Sequence, residues 1–147
     1  MTTAAQISAV ALATLTALAA VLGSWRWYRV EPSRAFWALV RSAQAAAGAQ
    51  ALVGGVLAVA GFEPADGLFW LYALLPVAVS FVAEQLRLAS AQTVLDARGI
   101  EDARAVGRLP GAAQRSVVLA IVRREIGVMT VAMGVVAFLA LRTLGTI

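Results

Sequence analysis

The sequence contains no cysteine and no histidine. Without cysteine the chain has no disulfide bonds and no thiolate metal sites. Without histidine it lacks the usual axial ligand of membrane haems and the commonest side-chain proton shuttle. No catalytic motif and no phosphate-binding glycine loop is recognisable either. We therefore expect no catalytic residues, no metal site and no cofactor, and we do not expect the protein to be an enzyme.

Charge is also scarce. Charged residues make up 14% of the 147 residues, hydrophobic residues make up 61%, and the mean hydropathy is +0.83. A soluble domain carries roughly a quarter charged residues, so this composition predicts an integral membrane protein. All twelve basic residues are arginine, which together with abundant alanine and glycine suggests a GC-rich bacterial genome. Since these arginines cluster beside apolar segments, we explain the net charge of +4 by membrane topology and expect no nucleic-acid partner.

Four apolar segments are long enough to cross a bilayer, which takes about 20 residues for each helix. They predict an all-α, polytopic fold with four transmembrane helices in an antiparallel bundle, forming a single transmembrane domain over residues 1–147. The predicted spans are residues 6–24, 35–60, 68–90 and 122–141.

Several features bound or interrupt these spans. Ser33 is the expected N-cap of the second helix. The third helix is expected to continue to about Ala97, with a kink at Pro76, and residues 92–115 form the connection to the fourth. Val117 to Val122 fit two alternatives, an extension of the fourth helix and a segment along the membrane surface.

The arginines also predict an orientation. They occupy the turn after the first span and the long connection after the third, whereas the turn between the second and third spans carries only Glu63 and Asp66. By the positive-inside rule, both termini lie outside and residues 92–115 are cytoplasmic. The expected location is the bacterial cytoplasmic (inner) membrane, crossed several times. Aromatic residues near the span ends fit an interfacial belt: Trp25, Trp27, Tyr28, Trp37, Trp70 and Tyr72.

Small residues recur every fourth position on the first two spans. One ridge contains Ala5, Ala9, Ala13 and Ala17, and the other contains Ala43, Ala47, Ala51 and Gly55. Such ridges let helix backbones approach closely, and packing within one chain is a simpler explanation than a dimer motif.

A set of polar and charged residues lies at the expected cytoplasmic edge. Arg41 lies 23 residues before Pro64 and Glu84 lies 20 residues after it, so their depths differ by about 5 Å on adjacent antiparallel helices. We predict an Arg41–Glu84 pair, with Arg87 and Glu125 as further members. The full candidate network is Arg41, Gln44, Gln50, Glu84, Arg87, Arg123, Arg124 and Glu125. A structural role as helix-end anchors has more weight than the alternative, an ion or proton path.

One hairpin offers a resemblance. The segment Pro64-Ala65-Asp66-Gly67-Leu68-Phe69-Trp70-Leu71-Tyr72 resembles a hairpin of small four-helix bacterial membrane proteins without assigned function. A histidine stands in those proteins at the position of Phe69, so the resemblance implies no haem ligand in this chain. No site residue is taken from it.

These observations favour a non-catalytic integral membrane subunit or scaffold of a larger membrane assembly. The alternative is a small homo-oligomeric channel or transporter that uses the Arg/Glu cluster at the cytoplasmic edge. Small four-helix multidrug exporters fit poorly, because they place an acidic residue in the first span and this one has no charge before Arg26. A membrane enzyme acting on a quinone or lipid comes last, since no catalytic group is evident. The expected partners are membrane lipids and either other membrane-protein chains or copies of itself.

Overall fold

The computed structural model describes residues 1–147 and contains helices but no strands. Four helices are long and apolar enough to cross a membrane, and they carry most of the chain. In chain order the helices are α1 (Thr2–Arg29), α2 (Arg34–Val59), α3 (Leu68–Leu88), α4 (Ser90–Ala97), α5 (Ala103–Val106) and α6 (Gly111–Leu144). The predicted all-α fold with four candidate spans is therefore confirmed.

The ends of the helices follow from local chemistry. Val30 takes a left-handed conformation with φ 52° and ends α1. Ser33 is extended, and its hydroxyl accepts the backbone N–H of Phe36 at 3.2 Å, so it caps α2 as expected. Before α3, the carboxylate of Asp66 accepts the backbone N–H of Leu68 at 2.9 Å. These short turns make neighbouring helices antiparallel.

The four long helices form a closed ring in the order α1, α2, α3, α6, with each helix packed against the next. Their interior has three apolar layers. The layer nearest the two termini contains Ala5, Leu57, Phe69 and Ala73. The middle layer contains Leu12, Ala13, Ala47, Val136 and Ala140. The layer at the opposite end is the largest and includes Ala19, Phe36, Val40, Ala83, Ile126, Met129 and Met133.

The structure corrects the expectation of one continuous helix to Ala97. Helix α3 ends at Leu88, and Ala89 has φ −78° and ψ −6°, which opens the helix before α4 begins at Ser90. The hydroxyl of Ser90 donates to the carbonyl of Leu86 at 3.0 Å. Such a bond to the carbonyl one turn back competes with the backbone and favours a bend at this point.

The alternatives for Val117 to Val122 are resolved in favour of a helix extension. Helix α6 is continuous over 34 residues, or about 51 Å. A hydrocarbon core is about 30 Å thick, so the helix is much longer than a membrane span requires. Its first turns project beyond the bundle and pack against α4.

The two small-residue ridges are buried only in part. Ala5, Ala9 and Ala13 are buried but Ala17 is exposed, and on α2 Gly55 is also exposed. A step of four residues turns 400°, so a ridge drifts by about 40° with each step. Burial therefore moves to positions three residues on, such as Thr16 on α1 and Gly54 on α2.

Two glycines lie in tightly packed positions between α1 and α6. A Cβ atom on Gly23 would lie 2.6 Å from Cε2 of Phe36, a fully buried ring, and would collide with Thr130. A Cβ atom on Gly127 would lie 2.8 Å from Cε2 of Trp27. Each glycine therefore provides space for a side chain of the facing helix.

We expect Gly23→Ala to destabilise the bundle. Overpacking a dense core costs about 1–3 kcal/mol, which exceeds the gain of up to about 1 kcal/mol in helix propensity. Gly134→Ala on α6 is the control, because its new methyl group meets nothing within 4 Å. Thermal unfolding in detergent micelles should show a lower midpoint for Gly23→Ala only, and equal midpoints for both variants would contradict the close approach.

Candidate functional site

A cluster of charged and polar side chains joins α2 to α3 at the end of the bundle remote from the termini. Arg41 lies two turns into α2, and Glu84 lies one turn before the end of α3. Both are next to the layer that contains Val40 and Ala83. The antiparallel arrangement of the two helices thus brings them to the same depth, as their sequence positions predict.

Glu84 is the centre of this cluster. Its Oε1 accepts Nη2 of Arg41 at 3.2 Å and Nε of Arg87 at 3.0 Å, and its Oε2 accepts Nε2 of Gln44 at 3.4 Å. Arg41 also donates from Nη1 to Oε1 of Gln44 at 2.8 Å. The predicted Arg41–Glu84 pair forms, and Arg87 and Gln44 complete a four-residue group that we call the Glu84 cluster.

Trp37 closes the cluster on one side. The guanidinium carbon of Arg87 lies 5.5 Å from the centre of the Trp37 ring, within the range of a cation–π contact. The side chains of Glu84 and Arg87 are only 22% and 20% exposed, whereas that of Arg41 is 55% exposed. The cluster is therefore a half-buried link between two helices, with one side open to the surroundings.

Sequence reasoning placed Trp37 in an aromatic belt and missed this contact. The sequence does contain a pattern that predicts the contact, because Trp37 and Arg41 are four residues apart and share a face of α2. Once Arg41 is paired with α3, Trp37 must lie near the same neighbour.

Gln50 lies apart from the cluster, deeper between α2 and α3. It is 2% exposed, and its Nε2 donates to the carbonyl of Ala73 at 3.4 Å. That carbonyl lies three residues before Pro76, which is buried inside the continuous helix α3. Side chains on neighbouring helices commonly support the backbone near such prolines in membrane helices. Gln50 makes the interhelical hydrogen bond expected of it, but it is not part of the charged group.

Three other candidates do not join the Glu84 cluster. Arg123 and Arg124 are exposed on α6, and neither they nor Glu125 form a salt bridge. The expected addition of Glu125 to the pair is therefore not found. The two arginines border the space between α3 and α6, whereas the Glu84 cluster lies between α2 and α3. Arg123 and Arg124 thus lie at a similar depth but on a different side of the bundle, whereas Glu125 interacts electrostatically with Arg87 without forming a salt bridge.

The chemistry available to the Glu84 cluster is that of an ionic cross-link. Both carboxylate oxygens of Glu84 accept hydrogen bonds, and two of the three donor side chains are guanidinium groups, which form the stronger, charge-assisted bonds. No group of three His, Cys, Asp or Glu side chains is placed to hold a metal ion. The arrangement fits a role in holding two helices in register.

No protein-family model matches the chain, and neither a curated protein nor a solved structure matches it. What the protein does is therefore inferred from its own residues.

In the hairpin with Pro64, Phe69 is 2% exposed and packs edge-on against Phe62 and Trp70, so this position is part of the apolar core.

We expect Glu84→Gln to weaken the link between α2 and α3. The substitution leaves the guanidinium groups of Arg41 and Arg87 without a counter-charge, and losing a charge-assisted partner costs about 1–3 kcal/mol. The exposed Glu63 forms no salt bridge, so Glu63→Gln makes the same chemical change as a control, with an effect within about 0.5 kcal/mol.

The measurement is again the thermal unfolding midpoint in micelles. A drop confined to Glu84→Gln supports the cross-link. A midpoint equal to that of Glu63→Gln would remove the structural role that the geometry assigns to Glu84.

Proposed function

We propose that the protein is a non-catalytic integral subunit, a scaffold element of a larger assembly in a bacterial cytoplasmic membrane. Four long apolar helices and short turns leave little of the chain for a separate soluble domain. The proposal is supported chiefly by one feature, the outward face of α2.

The proposed orientation places both termini on the outer side. Eleven of the twelve arginines lie at or beyond the end of the bundle that holds the Glu84 cluster. The turn between α2 and α3, at the other end, carries only acidic charges, Glu63 and Asp66. The remaining arginine, Arg142, stacks over the ring of Tyr72 at 5.5 Å. This bias favours a cytoplasmic location for the arginine-rich end.

The outward face of α2 forms a stripe that no other part of the chain covers. Its positions are separated alternately by four and three residues and are all exposed; we call it the α2 stripe: Ala38, Ser42, Ala45, Ala49, Leu52, Val56 and Val59. An average spacing of 3.5 residues is typical of the contact face between helices that pack with a left-handed twist. The first four residues are small, which lets the backbone of another helix approach closely.

The position of α2 in the ring agrees with this assignment. Of the four neighbouring pairs, α2 and α3 make the lightest contact, while α6 makes the two most extensive ones. Leu52, Val56 and Val59 are 74%, 69% and 91% exposed. In lipid, close contacts between backbones hold helices together, so an open stripe of small residues is a surface suited to a further transmembrane helix.

The alternative, a channel or transporter, has less support. The axis of the bundle is filled by buried side chains in all three layers, among them Leu12, Phe36 and Phe69. The carboxylate of Glu84 is already bonded to three side chains. A conducting path would therefore have to run between copies of the chain rather than through one.

The absence of native cysteine allows a direct test by site-specific photocross-linking in membranes. A benzophenone maleimide attached to Val56→Cys, on the α2 stripe, should cross-link to a different membrane protein in high yield. Val10→Cys on α1 is the control, because Val10 is also an exposed valine in the half of the bundle nearest the termini.

Cross-links from Val56→Cys to a second copy alone would favour the homo-oligomeric alternative. A yield no higher than that of Val10→Cys would contradict the docking role of the α2 stripe.

A further inference from the structure

An apolar groove of about 890 Å³ runs along the outside of the bundle between α3 and α6. Val82 and Leu86 of α3 form one wall, and Val128 and Val131 of α6 form the other. Twelve of its fifteen lining residues are hydrophobic. No residue of the α2 stripe lines it, so this groove is a second, separate surface.

The charged lining residues of the groove are both arginines. Arg123 and Arg124 lie on the α6 side toward the arginine-rich end, and both are exposed. Neither forms a salt bridge, unlike the four arginines at positions 26, 29, 41 and 87. Two unpaired cations near one end of an apolar groove are complementary to a molecule with an anionic head and an apolar tail.

The dimensions fit the chain of a lipid in one leaflet. From Arg124 to Val135 the α6 wall runs for about 16 Å, close to half of a hydrocarbon core of about 30 Å. Trp27 of α1 also lines the groove, where its indole packs on the backbone of Gly127. Tryptophan favours the depth at which lipid headgroups meet acyl chains. An apolar length, an aromatic ring and a basic end thus occur in the order of a phospholipid's own parts.

We propose that this groove binds an anionic glycerophospholipid of the cytoplasmic leaflet. The phosphate lies at Arg123 and Arg124, and one acyl chain lies between α3 and α6. The site depends on membrane insertion with the arginine-rich end in the cytoplasm, and it does not depend on docking through the α2 stripe. Failure of either proposal therefore leaves the other standing.

The test is native mass spectrometry of the full chain in detergent. Phosphatidylglycerol and phosphatidylcholine with identical acyl chains are titrated separately, and the lipid-bound fractions are compared. Each arginine near an anionic headgroup contributes about fivefold in affinity, so two should favour phosphatidylglycerol by about 25-fold.

Paired variants separate the headgroup from the acyl chain. Replacing both groove arginines, Arg123→Gln with Arg124→Gln, should abolish the preference for phosphatidylglycerol. The control is Arg104→Gln with Arg108→Gln, which removes the same charge from exposed residues outside the groove that form no salt bridge.

A second pair of variants adds a large side chain inside the groove and, as a control, outside it. Val131→Trp fills the groove and should weaken binding of both lipids. Val21→Trp adds the same bulk to an exposed position on α1 and should not.

A second measurement keeps both groove arginines, so that it does not depend on the folding of a charge variant. Phosphatidylglycerol with brominated acyl chains should quench Trp27, and Trp27→Phe should lack the quenched component. Several results would overturn the proposal: equal affinity for the two lipids, equal loss of preference in the two arginine pairs, or no quenching of Trp27. The proposal would also be overturned if inorganic phosphate fully displaced phosphatidylglycerol and Val131→Trp bound this lipid as well as the unchanged protein does. Those two results together would show a site for anions alone.

Discussion

Close approach between helix backbones is the constraint on which this bundle depends. Helices that lie in lipid gain little by packing apolar side chains on one another, so they depend on the close contacts that small residues allow. The contact between α1 and α6 shows this most clearly, because Gly23 and Gly127 leave space for Phe36, Thr130 and Trp27. Helices α1 and α6 form the most extensive pair in the ring. The other helices are arranged around that pair.

Few polar side chains are available, and the structure uses them at defined places. Glu84 joins three partners from two helices at the edge of the apolar interior, and Gln50 supports the backbone near Pro76. Arg123 and Arg124 are left unpaired beside an apolar groove. Paired charges thus link helices within the chain, whereas these two unpaired arginines face outward beside the groove.

Much of the fold could be predicted from the sequence because hydropathy and length determine which segments form long apolar helices. The Arg41–Glu84 pair was also predictable, since a short turn fixes the relative depth of two adjacent antiparallel helices. The missing information is the rotation of each helix about its axis. Helix α6 follows the break at Ala89 and a long connection, so its sequence does not reveal that Arg123 and Arg124 face α3 rather than α2.

The ridges illustrate the same gap. A spacing of four residues marks a face of small residues. It does not show at which position the buried residues shift to a spacing of three, as they do from Ala13 to Thr16. The packing of Trp27 over Gly127 joins residues 100 positions apart, and nothing near either of them indicates the other. Contacts of this kind require the relative placement of the whole helices.

The proposed lipid site depends on the orientation of the protein in the membrane, and cysteine labelling tests that orientation most directly. Ala65 and Ala103 are exposed alanines at opposite ends of the bundle, and the chain has no cysteine of its own. In intact cells, a membrane-impermeant maleimide should label Ala65→Cys at once and Ala103→Cys only after the membrane is permeabilised. Labelling of Ala103→Cys in intact cells, with protection of Ala65→Cys, would contradict the orientation and with it the cytoplasmic-leaflet lipid site.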